Sequence, residues 1–190
     1  ERKIAELLER LCRIEKLEWI RLHYAYPTDF PDQLIEVMAR ERKICRYLDI
    51  PFQHISDNQL SAMKRRHTKA QAIELVAKLR KAIPDIALRT TLLVGYPGES
   101  EEDFAELMQF VKDTKFDRLG VFAYSEEEGT YSATRLKDDV EEEVKHERVD
   151  RIMRFQERIS LENNAKRVGQ IMSVIIDRKE GDFYIGRSEY

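Results

Sequence analysis

The sequence predicts an α/β protein: about four parallel strands in a curved sheet with helices outside it, then a long helix and a small β module. Three observations carry this. Over residues 4–124 the apolar spacing alternates between helix and strand in the order α-β-α-β-α-β-α-β, the pattern of right-handed crossovers in a parallel sheet. Each strand then pairs an apolar face with a face bearing polar or ionisable groups: Arg21 and His23, Asp49, Arg89 and Thr91, Arg118 and Tyr124. Strands covered on both sides read instead as near-continuous apolar runs. Finally, Ile86 to Glu99, IALRTTLLVGYPGE, runs from strand through a glycine turn to a helix start, so backbone N–H groups there can face a ligand. Taken alone, such a turn is equally compatible with plain loop chemistry.

The elements follow in order. Ile4 to Leu17 carries a helical stripe at 4, 7, 8, 11 and 14, and Trp19 to Tyr26 is a strand ended by Pro27. Thr28 or Asp29 is expected to cap a helix with the stripe Leu34, Ile35, Met38. Ile44 to Phe52 is a strand, and a loop from Gln53 to Ser56 leads into a helical region from Asp57 to Ala82. That region is broken near Arg66 to Thr68, with Thr68 capping its second half. Leu88, Thr90, Leu92 and Val94 share one face of the next strand; Ser100, with Asp103 three residues on, caps a helix to about Lys115. Asp117 to Tyr124 is the fourth strand and Ser125 to Asp139 a polar loop. A long helix from Val140 to about Arg167 reads as a strut between modules, and the tail pairs 170–177 with 182–187 as a hairpin. Two strands alone are marginal, so this module is expected to be incomplete.

Composition bounds the function. Of 190 residues 42% are apolar and 36% charged, and the net charge of −3 argues against a nonspecific nucleic-acid binder. No run approaches the roughly 18 apolar residues of a membrane span, and no secretory leader follows the first residues. Cys12 and Cys45 fit no zinc spacing and read as lone thiols of a reducing, cytoplasmic context.

A row of charges along adjacent strands is costly unless it pairs or meets water. Two arrangements satisfy it: a lumen that holds a ligand, or an internal salt-bridge network. In either, the strand C-termini carry Gln53, His54, Gly95, Tyr124 and Ser125, where α/β sites collect. His54 is a general base or a hydrogen-bonding loop residue, and His23 a packed or network histidine. Tyr24 and Tyr26 read as rim aromatics. Glu126, Glu127 and Glu128 are consecutive, so they cannot converge on a metal, and read as a solvated run. The acidic residues at 138, 139 and 141–143 suit the N-terminus of the long helix. Lys64, Arg65, Arg66, His67 and Lys69 either meet a polyanion or mark a helix junction in water.

Three strings add a resemblance: YLDIPFQHIS at 47–56, ALRTTLLVGYPGESEEDF at 87–104 and FDRLGVFAYSEEEGT at 116–130. They resemble the methylthiotransferase family of radical S-adenosylmethionine enzymes. Within it they are similar to the RimO-type branch, which modifies an aspartate of a small-subunit ribosomal protein. The tRNA-modifying MiaB-like branch usually has another string at 53–56. WIRLHYAYP and DRKEGDFYIGRSEY fit as well, so the likeness covers essentially the whole chain; Gly129-Thr130-Tyr131 departs where many members have proline after the threonine. The resemblance implies residues 1–139 as the C-terminal part of a partial (β/α) barrel, 140–167 as a linking helix and 168–190 as the start of a TRAM-like β domain. It further implies S-adenosylmethionine on the strand C-termini, with Gln53 on the ribose side, Leu93, Val94 and Gly95 behind the adenine, and Phe122, Tyr124 and Ser125 at its edge. Arg89 lines the same face as a candidate for the methionine carboxylate, or pairs with Asp49.

The family also uses two 4Fe-4S clusters held on cysteine triads, one of them Cys-x-x-x-Cys-x-x-Cys. This sequence has neither triad, and Cys12 on a helix and Cys45 on a strand cannot replace one. The chain is therefore expected to start after the second barrel strand, to hold no catalytic or metal-binding residue, and to be inactive alone. The implied partners are a small-subunit ribosomal protein and, through the TRAM-like module, RNA, with no membrane. Two other readings stay open: a non-catalytic module that binds ribosomal protein or RNA, and a barrel enzyme using His54 and Asp49 as acid and base.

Overall fold

The computed structural model describes residues 3–190. Four strands form one parallel sheet in chain order: β1 (Ile20–Leu22), β2 (Ile44–Asp49), β3 (Ala87–Val94) and β4 (Arg118–Ala123). Helix α2 (Asp32–Arg40) joins β1 to β2, α3 (Asp57–Ala62) and α4 (Lys69–Ala82) join β2 to β3, and α5 (Glu101–Thr114) joins β3 to β4. With α1 (Ile4–Cys12) and α7 (Glu142–Ala165) these helices pack on one side of the sheet. Leu8, Leu34, Leu48, Leu79, Leu92, Phe104, Val121 and Ile152 belong to one continuous core. Phe52, Phe110 and Phe116 meet within it, the ring of Phe110 lying edge-on to each of the other two at 5.5 Å.

The local chemistry explains the boundaries. Thr68 and Ser100 each form a capping box, with Gln71 and Asp103 respectively. The expected cap of α2 by Thr28 or Asp29 is not formed: Pro31 stands at the N-cap with no side-chain bond, because its fixed φ already suits a helix entry. β1 is shorter than expected. Tyr24 adopts a left-handed φ of 57°, which breaks the alternation and turns Ala25, rather than Tyr24, toward the core. β2 stops at Asp49; Pro51 has no N–H to give, and pairing resumes only as a single bridge from Gln53 to Leu92. A short helix, α6 (Tyr131–Arg135), capped by Thr130, occupies part of what reads in sequence as a polar loop.

Helix α7 begins at Glu142 and ends at Ala165, inside the expected span. It is more than a strut, since Ile152 and Ile159 are buried in the core against the sheet. Beyond it, β5 (Val174–Glu180) and β6 (Phe183–Ser188) form an antiparallel hairpin with a bulge between Ile176 and Arg178. Its end returns to the sheet: Arg21 donates to the Ser188 carbonyl at 3.1 Å and the Arg46 N–H to Glu189 Oε2 at 3.0 Å. Tyr190 packs with Trp19 on a small cluster of Cys45, Tyr47 and Ala87.

Candidate functional site

The side of the sheet away from the helices is open. Along β3, Leu88, Thr90, Leu92 and Val94 are buried, whereas Arg89, Thr91 and Leu93 are half-buried, as the alternation predicts. Register places Asp49, Arg89 and Arg118 side by side on three adjacent strands, so all three project from the open face. Arg89 Nη1 donates to Asp49 Oδ2 at 2.6 Å, and His23 Nδ1 stands 3.9 Å from the same oxygen. Arg21 lies over the Tyr47 ring at 4.2 Å. Of the two arrangements open to the charged row, an ion-paired network therefore occupies the level of Asp49. Above it, toward the strand C-termini, the face becomes apolar and open, with Leu93 opposite Phe122 and Phe122 61% exposed.

At the C-terminal rim sits the turn from Gly95 to Glu99. Gly95 and Gly98 have φ of 72° and 79°, which glycine adopts without strain. The Tyr96 hydroxyl donates to the Ala62 carbonyl at 3.3 Å and its ring meets Tyr124 edge-on at 5.1 Å. A cavity of about 330 Å³ opens here between Gln53, Leu93, Tyr96, Lys64 and Tyr131. Gln53 holds a left-handed φ of 68°, fixed by its N–H to Thr91 O at 2.9 Å and its carbonyl from Leu93 N–H at 2.8 Å.

The residues named from the sequence thus divide. Gln53 and Leu93 line one cavity, and Phe122 neighbours Leu93 on the open face. The Val94 side chain points into the core and its carbonyl accepts from Tyr124 N–H at 2.8 Å. Tyr124 is buried against Tyr96, Ser125 is exposed, and Arg89 stands lower on the face, engaged by Asp49. His54 is fully buried; its Nδ1 accepts from Ser56 N–H at 3.0 Å and its Nε2 faces Glu99 Oε1 at 3.8 Å. Asp49 and His54 are therefore engaged separately, not paired as acid and base.

The basic cluster at 64–69 is a helix junction: Arg65 donates to Pro51 O at 2.6 Å, Lys69 pairs with Glu106 at 3.0 Å and His67 is buried. Glu126, Glu127 and Glu128 are solvent-exposed.

Several contacts at the rim carry no signal in the sequence. Asp103 caps α5 and also accepts from the Ser56 hydroxyl. Burial would raise its carboxyl, but the hydrogen bonds from Ser56, Ser100 and Asn58 hold it below the usual carboxylate range. Glu99, Lys145 and Arg148 are buried around the glycine turn. Burial alone would lower the Lys145 ammonium; hydrogen bonds to Asp138 and Glu142 outweigh it, so its pKa stands above the ordinary lysine value. Only Glu99 lies within the turn; its partners come from a helix more than forty residues on, beyond the reach of any local pattern.

A larger groove of about 570 Å³ lies at the opposite end of the sheet, beside Arg80, Asp85, Lys115, Asp117, Lys166 and Arg167. Its cations answer the C-terminal ends of α4, α5 and α7, as when Arg80 donates to Lys115 O at 3.4 Å. Sites in parallel α/β folds collect at the other, C-terminal end of the strands, which favours the smaller cavity at the rim.

The chain is 54% identical over all 190 residues to "Ribosomal protein uS12 methylthiotransferase RimO" of Christiangramia forsetii, of which it covers 42%. It is 52% identical over 188 residues, 99% of the chain, to the protein of that name from Phocaeicola vulgatus, covering 44% of it. The chain thus spans less than half the length of these curated relatives. In fold it is similar to coproporphyrinogen III oxidase (HemN) of Escherichia coli, a radical SAM enzyme, with a TM-score of 0.65 over 82% of this chain and 37% of that one, at 18% identity. The radical S-adenosylmethionine methyltransferase TsrM of Kitasatospora setae aligns with a TM-score of 0.52 over 63% of this chain and 24% of that one, at 22% identity. The sheet with its outer helices is therefore part of a radical SAM partial barrel, followed by a small antiparallel sheet. The model of the Radical SAM superfamily matches residues 1–111, more than half of the chain, and the chain belongs to that superfamily.

Proposed function

We propose that this chain is the cofactor-wall portion of a RimO-type methylthiotransferase that modifies ribosomal protein uS12. The observation that carries this is the 54% identity, over all 190 residues, to a relative of that name. The rim suits the adenosine part of S-adenosylmethionine: an apolar wall at Leu93 and Phe122, a polar Gln53, and the turn that begins at Gly95 beside them. Tyr124 and Ser125 follow directly on β4 at the same rim, while the paired Arg89 remains the candidate for the methionine carboxylate. S-adenosylmethionine beside a reduced iron–sulfur cluster supplies the oxidising power to activate an unreactive C–H bond, here on the target aspartate.

The residues of this chain bind, orient and shield that cofactor. They do not fit a cluster: Cys12 lies on α1 and Cys45 is buried on β2, and among the described residues no group of three His, Cys, Asp or Glu side chains could hold a metal ion. Ligands for the two 4Fe-4S clusters would come from elsewhere in the protein. The β5–β6 hairpin exposes Phe183 and Tyr184 beside Arg178 and Lys179, and is the proposed start of a TRAM-like module that meets the ribosomal partner or RNA. A ribosomal-protein substrate places the enzyme in the cytoplasm; among the described residues no helix is long and apolar enough to cross a membrane.

The test is to incubate the full-length protein, reduced and with S-adenosylmethionine, with purified uS12 and with tRNA, and read both by mass spectrometry. The expected result is one methylthio group on a uS12 aspartate. Modification of tRNA alone would support a MiaB-like enzyme, and modification of neither would overturn the proposal.

A further inference from the structure

Two cations of α7 are buried: Lys145 is 1% exposed and Arg148 3%. Both reach the turn after β3. Arg148 Nη1 donates to the Glu99 carbonyl at 3.3 Å and stands 3.4 Å from Glu99 Oε1, while Nη2 donates to Glu101 Oε1 at 2.6 Å. Glu99 in turn accepts the Gly95 N–H on its other carboxylate oxygen. The Lys145 stem fills the space behind Gly95, where a Cβ would overlap its Cγ, and its ammonium binds Asp138 and Glu142, each at 2.5 Å. Asp139, next along, accepts the Gly98 N–H at 2.7 Å. The turn is thus held at Gly95, Gly98 and Glu99 by α7 and the segment leading into it.

Stability alone does not call for this arrangement. A buried ion pair is often replaceable by apolar side chains at no net loss, since desolvation offsets the attraction. What Arg148 adds is direction. A planar guanidinium that engages both the carbonyl and the carboxylate of Glu99 fixes the carboxylate that orients the Gly95 N–H.

The geometry points to Arg148 as a positioning residue for the cofactor turn: acting through Glu99, it holds Gly95 in the shape that receives the adenosine of S-adenosylmethionine. This rests on the reading of the turn as the cofactor wall. Arg148 is buried behind the turn and acts without touching the ligand.

The experiment titrates the full-length protein with S-adenosylmethionine by calorimetry, wild type first, then R148M, R148K and Q156L. Gln156 is also buried on α7, where it donates to Phe116 O at 2.7 Å, away from the turn. R148M is expected to weaken binding about tenfold, the loss of one well-placed interaction, and R148K to recover about half of that free energy, leaving a loss of about threefold. Q156L, with a comparable fall in melting temperature, is expected to stay within about twofold of wild type. Should R148M fail to fold, R148K alone decides, with an expected loss of about threefold. Equal losses in R148M and Q156L would reduce Arg148 to a structural role, and unchanged binding in R148M or R148K would overturn the inference. A wild-type protein that binds no S-adenosylmethionine would overturn the cofactor reading itself, a failure visible before any variant is compared.

Discussion

Asp49 is out of contact with water, and its charge is answered chiefly by Arg89 across the strand pair. Removing one member of such a pair leaves the other buried and unpaired, the costly case. R89M is expected to lose about 3 kcal/mol in urea denaturation, and the double variant D49L/R89M to regain most of it. An unchanged R89M midpoint would show that water screens the pair. His67 gives a second handle. It is 3% exposed, neither ring nitrogen has a partner, and burial, with the nearby Arg65 charge adding to it, lowers its pKa to about 4. The folded state therefore binds its proton less readily than the unfolded chain does. The associated stability is fully present above the ordinary histidine value near 6.5 and is lost as pH falls through about 4. Between pH 7 and pH 4 wild type should lose on the order of 2 kcal/mol more than H67L. Parallel pH profiles for the two would contradict this. The Asp49 pairing was one of the two roles the sequence offered Arg89, because both lie on the polar side of adjacent strands; the burial of His67 was not legible, since it sits in what reads as a basic, solvated run.

Among the elements, regular alternation was legible and departures from it were not. The burial of β3 follows its sequence pattern residue by residue, and the capping boxes at Thr68 and Ser100 stand where serine or threonine precedes a matching acceptor by three positions. β1 and α2 deviate at Tyr24, whose positive φ reverses the alternation, and at Pro31, which takes the N-cap position without a side-chain oxygen. The glycine turn was legible as a turn. Its support was not, because Lys145 and Arg148 read as ordinary members of a charged helix until α7 is placed against the sheet. That support makes Gly95 intolerant of a side chain: G95A would force a left-handed alanine against Lys145. A loss of about 3 kcal/mol in denaturation is expected, and a loss below about 1 kcal/mol would mean that the turn relaxes freely.

For the whole molecule, the arrangement of parts decides where a ligand can lie. The helices take one side of the sheet, and the end of the tail covers Cys45 and Tyr47 on the other. The upper open face, from Leu93 and Phe122 to the Gly95 turn, stays free beside the rim cavity. The larger groove lies at the far end of the strands, so cavity size and the usual place of sites in parallel α/β folds point to opposite ends. Photo-crosslinking the full-length protein with an azido-adenosine analogue of S-adenosylmethionine, then mapping the labelled peptides, tests this directly. Label is expected within residues 93–96 and 122–125. Label concentrated around Arg80, Lys115 and Lys166 would contradict the assignment.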